Sequence, residues 1–281
     1  MSSEGLRIEP FFLEGSQGPL FCQYTVPAGT TPRGAVLYLH PFAEEMHKSR
    51  RMAARMARAL AAAGFAVLQP DLTGCGDSAG DFSDANLGLW RTDAKRALAW
   101  LADRVPEPPA LWGLRLGATL AAELAAEAGT RTLVLWQPVP AGELFLNQFL
   151  RIKLASEMLA DGKAQADTRA LRESLEGGAV IEVGGYGLSP AMARDLAGLR
   201  LADIHPAGAV TWLEVGAKAG PDIAPAGRRV VEAWRSAGVM VETATVAGDP
   251  FWGTQEICEC EALEAPTLAA LGVATETGHD R

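Results

Sequence analysis

The strongest constraint on this chain is an alternation that runs along most of its length. Short, wholly apolar runs are followed by stretches whose apolar residues recur three and four positions apart. Val36, Leu37, Tyr38 and Leu39 form the first such run. Residues 49–64 follow, with Met52, Ala53, Met56, Ala57, Leu60 and Ala61 at helical spacing and Gly64 as a stop. Residues 65–71 read as a second strand, 87–104 as a helix, 110–113 as a strand, 118–129 as an alanine-rich helix and 132–136 as a strand. The pattern resumes with 210–215 (strand), 225–237 (helix), 239–246 (strand) and 256–271 (helix). Apolar runs without in–out alternation belong to strands covered on both faces. Alternation with short connections predicts a mostly parallel central sheet with helices on both sides.

Residues 138–206 break the pattern. Stretches 144–159 and 168–176 read as helices, Gly184-Gly185-Tyr186-Gly187 interrupts the chain, and 189–196 restarts a helix with Ser189 as N-cap and Pro190 at the first position. The expected organisation is one domain over 1–281. Its core covers about 7–137 and 207–272, a small helical cap about 138–206, and a flexible tail 273–281.

Hydrophobic residues make up 48% of the 281, enough for one sizeable core. The formal charge of −9 argues against nucleic acid, which calls for a basic face. The basic run Lys48-Ser49-Arg50-Arg51 is expected to be a solvated helix start. No run reaches the ~20 apolar residues of a membrane span, and residues 1–10 lack the apolar core of a secretory signal. The cytoplasm is the expected compartment. The cysteines, at 22, 75, 258 and 260, have no disulfide-framework spacing. Cys258 and Cys260, inside a predicted helix, would point to different faces, which disfavours a metal site.

Ligands of open α/β sheets bind beyond the carboxyl ends of the strands. After the third strand stand Gly113, Leu114, Arg115, Leu116 and Gly117, followed by a helix of small residues. Strand, G-x-nucleophile-x-G, helix is the elbow of α/β-hydrolases, and the chain resembles them here. His40-Pro41-Phe42 stands where such enzymes build part of the oxyanion hole. Asp71-Leu72-Thr73-Gly74-Cys75-Gly76-Asp77-Ser78 resembles the loop after their next strand. No G-K-[ST] follows the glycines, which argues against a phosphate loop. The usual chemistry requires Ser or Cys, a His base and an orienting acid. Here Arg115 takes the nucleophile's place, and a guanidinium stays protonated and cannot attack a carbonyl. Residues 247–253 hold no His where the base is expected, and Asp222 stands as the remnant of the acid.

A narrower resemblance rests on His40-Pro41-Phe42-Ala43-Glu44-Glu45-Met46-His47, Gly74-Cys75-Gly76-Asp77-Ser78, Trp112-Gly113-Leu114-Arg115-Leu116-Gly117, Trp136-Gln137-Pro138-Val139, Gln148-Phe149-Leu150-Arg151 and Pro250-Phe251-Trp252. Together these resemble the exosortase A system-associated hydrolase 2 group. The resemblance implies the α/β-hydrolase fold and a setting in exopolysaccharide and protein sorting. It implies no particular activity.

Strand-end geometry is expected to gather Glu44, Glu45, Asp77, Ser78, Arg115, Gln137 and Asp222 near one cleft, with His40 and the start of the helix at Leu116 beside them. The cap adds Gln148, Arg151 and Tyr186, and Phe251 and Trp252 fill the place of the missing His. A buried arginine needs a partner. Three readings follow. Glu44, Glu45 or Asp77 locks Arg115 internally, leaving a structural partner protein. Alternatively, Arg115 helps to bind an anionic or sugar-related small molecule. In the third, the chain is a hydrolase or acyltransferase with Glu44 or Glu45 as base and Ser78 or Cys75 as nucleophile. No metal or other cofactor is expected, since no regular element fixes His40 and His47 around Glu44. The oligomeric state is left open.

Overall fold

A computed structural model describes residues 5–161 and 167–274. The expected tail falls mostly outside these residues. The chain begins with a hairpin that the strand–helix alternation does not announce. It comprises β1 (Leu6–Glu14) and β2 (Pro19–Pro27), antiparallel, with Leu6 opposite Pro27. Side chains of β1 alternate between half-buried and exposed, so only one of its faces is covered. Phe11 on that face stacks on Trp100 at 4.4 Å.

The alternating units follow. They are β3 (Gly34–Leu39), α1 (Glu44–Ala62), β4 (Phe65–Pro70), α2 (Leu87–Ala102), β5 (Ala110–Leu114), α3 (Leu116–Ala128) and β6 (Thr132–Trp136). Between β6 and the next sheet strand lie α4 (Gly142–Asp161), α5 (Thr168–Glu176), β7 (Ile181–Val183), β8 (Tyr186–Leu188) and α6 (Pro190–Gly198). The chain then completes β9 (Ala209–Gly216), α7 (Pro225–Ser236), β10 (Val241–Ala247) and α8 (Glu264–Ala270). The eight-stranded sheet has the order β1-β2-β4-β3-β5-β6-β9-β10. The hairpin joins antiparallel through β2 and β4, and the strands from β4 to β10 run parallel. This is the mostly parallel, doubly covered sheet of the α/β-hydrolase fold. One face packs Met52, Met56, Trp112 and Trp136 beneath α1 and α8. The other packs Trp90, Leu120, Trp212 and Trp234 beneath α2, α3, α7 and the inserted segment.

Gly184 and Gly185, expected only to interrupt the chain, form a two-residue hairpin turn with φ of 58° and 88°. Both values suit a turn that matches strand twist. Ser189 caps α6 by accepting from the Met192 N–H at 3.1 Å.

Three expectations need correction. Helix α1 begins at Glu44, not 49, because Ala43 adopts φ 51° and turns the chain straight from the β3 loop into the helix. Glu44 and Glu45 then occupy the first turn, where the helix dipole favours acids. Consequently the basic run is not simply solvated. Arg50 bonds both oxygens of Asp71 at 3.1 Å, and Arg51 pairs with Glu259. Finally, residues 256–260 are not helical. Arg55 takes Glu259 at 2.9 Å and Glu261 at 2.7 Å, while Cys260 is buried against the Ala247 carbonyl. These tethers hold 256–260 against α1, and helical structure is left to a 3-10 turn at Glu261–Leu263 and to α8. Cys258 and Cys260 therefore do not share a helix, and both are free thiols. Among the described residues no helix is long and apolar enough to cross a membrane, and no cluster of metal-ligating side chains is present.

Candidate functional site

The site grows from the end of β5. Gly113 and Gly117 make the elbow possible. A Cβ on Gly117 would lie 2.2 Å from the Leu39 carbonyl oxygen, and one on Gly113 2.4 Å from the Gly117 oxygen. Between them Arg115 adopts φ 55°, ψ −119°, a strained conformation for a residue with a side chain. Its N–H donates to the Trp136 carbonyl at 2.9 Å, tying the turn to β6. The turn lifts the Arg115 side chain above the carboxyl edge of the sheet, where a nucleophile would stand.

Arg115 Nε donates to Glu45 Oε1 at 3.0 Å; the two side chains are 17% and 22% exposed. Among the described residues, no other hydrogen-bond acceptor meets this guanidinium. Its carbon lies 5.7 Å from the Phe145 ring centre and 5.6 Å from that of Trp252, within cation–π range. Glu45 Oε2 is buried and has no hydrogen-bond partner. Burial pushes the Glu45 carboxyl above the usual carboxylate range, with Arg115 opposing the shift. Glu44 is exposed and pairs with Lys48 at 3.1 Å.

Two cavities meet at Arg115. The first, about 330 Å³, is walled by Phe42, Phe149, Ile152 and Trp252, with Glu44, Glu45 and Lys48 along its polar side. The second, about 430 Å³, is lined by Val139, Leu144, Ala226 and Val230, with Arg229 among its lining residues. Arg115, Phe145 and Gln148 belong to both.

Of the residues expected from the sequence, the structure therefore gathers Glu44, Glu45, Arg115, Gln148 and Trp252 around one cleft. Leu116 opens α3 beside them, but its side chain is buried in the core. The others are placed elsewhere. Ser78 donates to the Asp71 carbonyl at 2.6 Å and accepts from the Phe21 N–H at 2.8 Å, so it pins its own loop. Cys75 is buried, and burial pushes its thiol far up, opposite to what a thiolate nucleophile needs. Asp77 is exposed in the same loop. Asp222 is exposed, its backbone carbonyl accepting from Thr245. Gln137, at φ 45°, turns its Oε1 to the Val215 N–H at 2.9 Å and bridges β6 to β9. Tyr186 packs on Phe82 at 5.1 Å, and Arg151 is exposed on α4.

His40 is buried, and its tautomer is fixed. Nε2 must accept from the Leu72 N–H at 3.1 Å, so Nδ1 carries the proton and donates to the Pro41 carbonyl at 2.8 Å. Burial lowers its pKa, and the ring is a neutral structural bridge.

Sequence reasoning missed Phe145, Phe149 and Ile152. Their signal was available, since 145, 148, 149 and 152 stand at i, i+3, i+4 and i+7 on one face of α4. Lys48 follows Glu44 and Glu45 at i+4 and i+3 on α1, while no such signal exists for the approach of Arg229.

Fold and elbow together define an α/β-hydrolase. More narrowly, the chain belongs to the serine aminopeptidase S33 family, whose profile matches residues 30–170 and so includes the elbow. Similar solved structures agree on the fold. Est1E from Butyrivibrio proteoclasticus, with ferulic acid bound, is 17% identical, with a TM-score of 0.67 over 93% of this chain and 95% of that one. A putative hydrolase from Agrobacterium vitis S4 is 18% identical, with a TM-score of 0.60 over 94% and 99%. An α/β serine hydrolase without a lid from Xanthomonas campestris is 16% identical, with a TM-score of 0.57 over 95% and 94%. Comparison with curated proteins gives no match.

Proposed function

We propose that this chain is a hydrolase-fold binding protein that has given up the Ser-His-acid route and holds a small molecule in the cleft at Arg115. The observation that carries this is the Arg115 side chain. It occupies the nucleophile's place, donates from Nε to Glu45, and lines both cavities. A fixed cation there can bind, orient and polarise, but it cannot form an acyl-enzyme. The place of the base is filled by Phe251 and Trp252, both buried. The resemblance to exosortase A system-associated hydrolase 2 proteins supports a setting in exopolysaccharide and protein sorting, with a sugar-related ligand.

The test has two arms. A fluorophosphonate probe and p-nitrophenyl esters should give neither labelling nor turnover above buffer. Ligand-observed NMR of a fragment library should give hits that lose their signal with Arg115→Ala. Labelling at one residue, with turnover lost on its mutation, would overturn the non-catalytic reading. Hits indifferent to Arg115→Ala would overturn the site.

A further inference from the structure

The two cavities differ in character, and the difference constrains the ligand. The first has two acids, Glu44 and Glu45, and two bases, Lys48 and Arg115, so its lining carries no net charge. Arg115 is already half neutralised by Glu45, so an anionic head gains little there and meets a carboxylate beside it. The Glu45 side chain lines this cavity, is 22% exposed and can still accept a hydrogen bond there, while its Oε2 is closed off from solvent and unpartnered. A carboxylate accepts only and a guanidinium donates only, so their natural shared partner both donates and accepts, as a hydroxyl does. Trp252, Phe42 and Phe149 give flat apolar walls around that position.

The second cavity begins on the far side of Arg115. Val139, Pro140, Ala141, Leu144, Ala226 and Val230 line it, and no acid does. Its cations are Arg115, shared with the first cavity, and Arg229, which is exposed on α7 where water screens it. Such a chamber rewards an apolar chain.

We infer that the ligand is an amphiphile of the alkyl-glycoside class, its uncharged hydroxylated head on Glu45 and Arg115 and its chain in the chamber lined by Leu144, Ala226 and Val230. This rests on the binding reading above and names the chemistry it would take.

Titration calorimetry on the purified full chain tests it with four probes: octyl β-glucoside, methyl β-glucoside, octanoate and octyl phosphate. Each buried methylene is worth about a fourfold gain in affinity at best. Octyl glucoside should therefore bind at least a hundredfold tighter than methyl glucoside, and tighter than either anion. Leu144→Asp, at an exposed chamber position, should erase the gain from the chain. Glu45→Gln should cost octyl glucoside at least tenfold while leaving the chain-length gain in place. Equal binding of the two glucosides would overturn the chain chamber. Tighter binding of octanoate or octyl phosphate would overturn the uncharged head. Both results would leave the Arg115 site standing. Silence from all four probes would overturn the inference, while the fragment hits and their loss in Arg115→Ala would still judge the site itself.

Discussion

Arg115 and Glu45 meet at 3.0 Å although seventy positions separate them, and a turn of positive φ delivers each one. Arg115 itself stands at φ 55°, and Ala43, two residues before Glu45, at φ 51°. Two strained turns thus converge on one ion pair. Removing the cation leaves a mostly buried carboxylate without its partner. Arg115→Ala should cost about 1–3 kcal/mol. Arg115→Gly loses the same pair but relaxes the turn, and should recover about 1 kcal/mol relative to alanine. Urea unfolding measures both. Equal stability of the two variants would show that the turn stores no strain.

Restoring a serine should not restore the enzyme. Arg115→Ser places a hydroxyl on an intact elbow, yet the loop 247–253 directly after β10 holds no histidine, and Phe251 and Trp252 are buried there instead. Without a general base the hydroxyl stays a weak nucleophile. Active-site titration with p-nitrophenyl acetate should show no burst, and a stoichiometric burst would refute the assignment.

The two glycine positions of the elbow should tolerate nothing larger. A methyl at Gly117 would overlap the Leu39 and His40 carbonyls, at 2.2 and 2.3 Å, and these belong to the β3 end and cannot easily retreat. Gly117→Ala should lose roughly 3 kcal/mol or more, or fail to fold. At Gly198 no atom lies within 4 Å of the added methyl and φ is not positive. Gly198→Ala should be neutral or gain up to about 1 kcal/mol. Thermal melts of the pair separate a clash from a general intolerance to substitution.

The parallel strands were legible because a strand buried on both faces writes itself as an unbroken apolar run, as in Val36 to Leu39. The N-terminal hairpin was not, because β1 buries only part of one face and its mixed residues fit no strong template. Arg115 was legible as the odd residue in an elbow. Its partner could be narrowed to a few acids but not chosen, since Glu44 and Glu45 are adjacent in sequence and one helical step decides which of them turns inward. Ser78, Asp77 and Asp222 illustrate the opposite difficulty. Strand-end position gathers residues to one edge of the sheet, but which way each loop turns depends on bonds made far off in the chain, such as Ser78 to Phe21.

His40 gives an acid-side signature. Its ring is neutral with both nitrogens engaged, and burial holds its pKa below 6.5. The unfolded chain therefore binds the extra proton first as pH falls. The contribution is fully present above about pH 6.5 and is lost as pH drops towards the folded value. Glu45 has the opposite sign, since its raised folded pKa adds stability as pH falls towards 4.5. His40→Asn should flatten the loss of stability that begins below pH 6.5, whatever its cost at pH 7. An unchanged slope in chemical denaturation between pH 5 and 7 would show that another group carries it.

The same carboxyl makes the cleft's preference depend on pH. An ionised Glu45 occupies Arg115, so a permanently charged probe such as octanesulfonate should then bind weakly. As pH falls towards the raised pKa of Glu45, protonation removes that negative charge, while Arg115 and Lys48 keep their positive ones. The lining then turns net positive and the guanidinium is free to receive the sulfonate. Affinity should rise as pH falls, and Glu45→Gln should bind more tightly than the wild type at pH 7, with less pH dependence. Calorimetry at three pH values measures this. A wild-type affinity that stays flat while the Glu45→Gln affinity is high would mean that Glu45 keeps its charge throughout; a low affinity in both would mean that the sulfonate never reaches Arg115, and that the carboxylate is not what turns anions away.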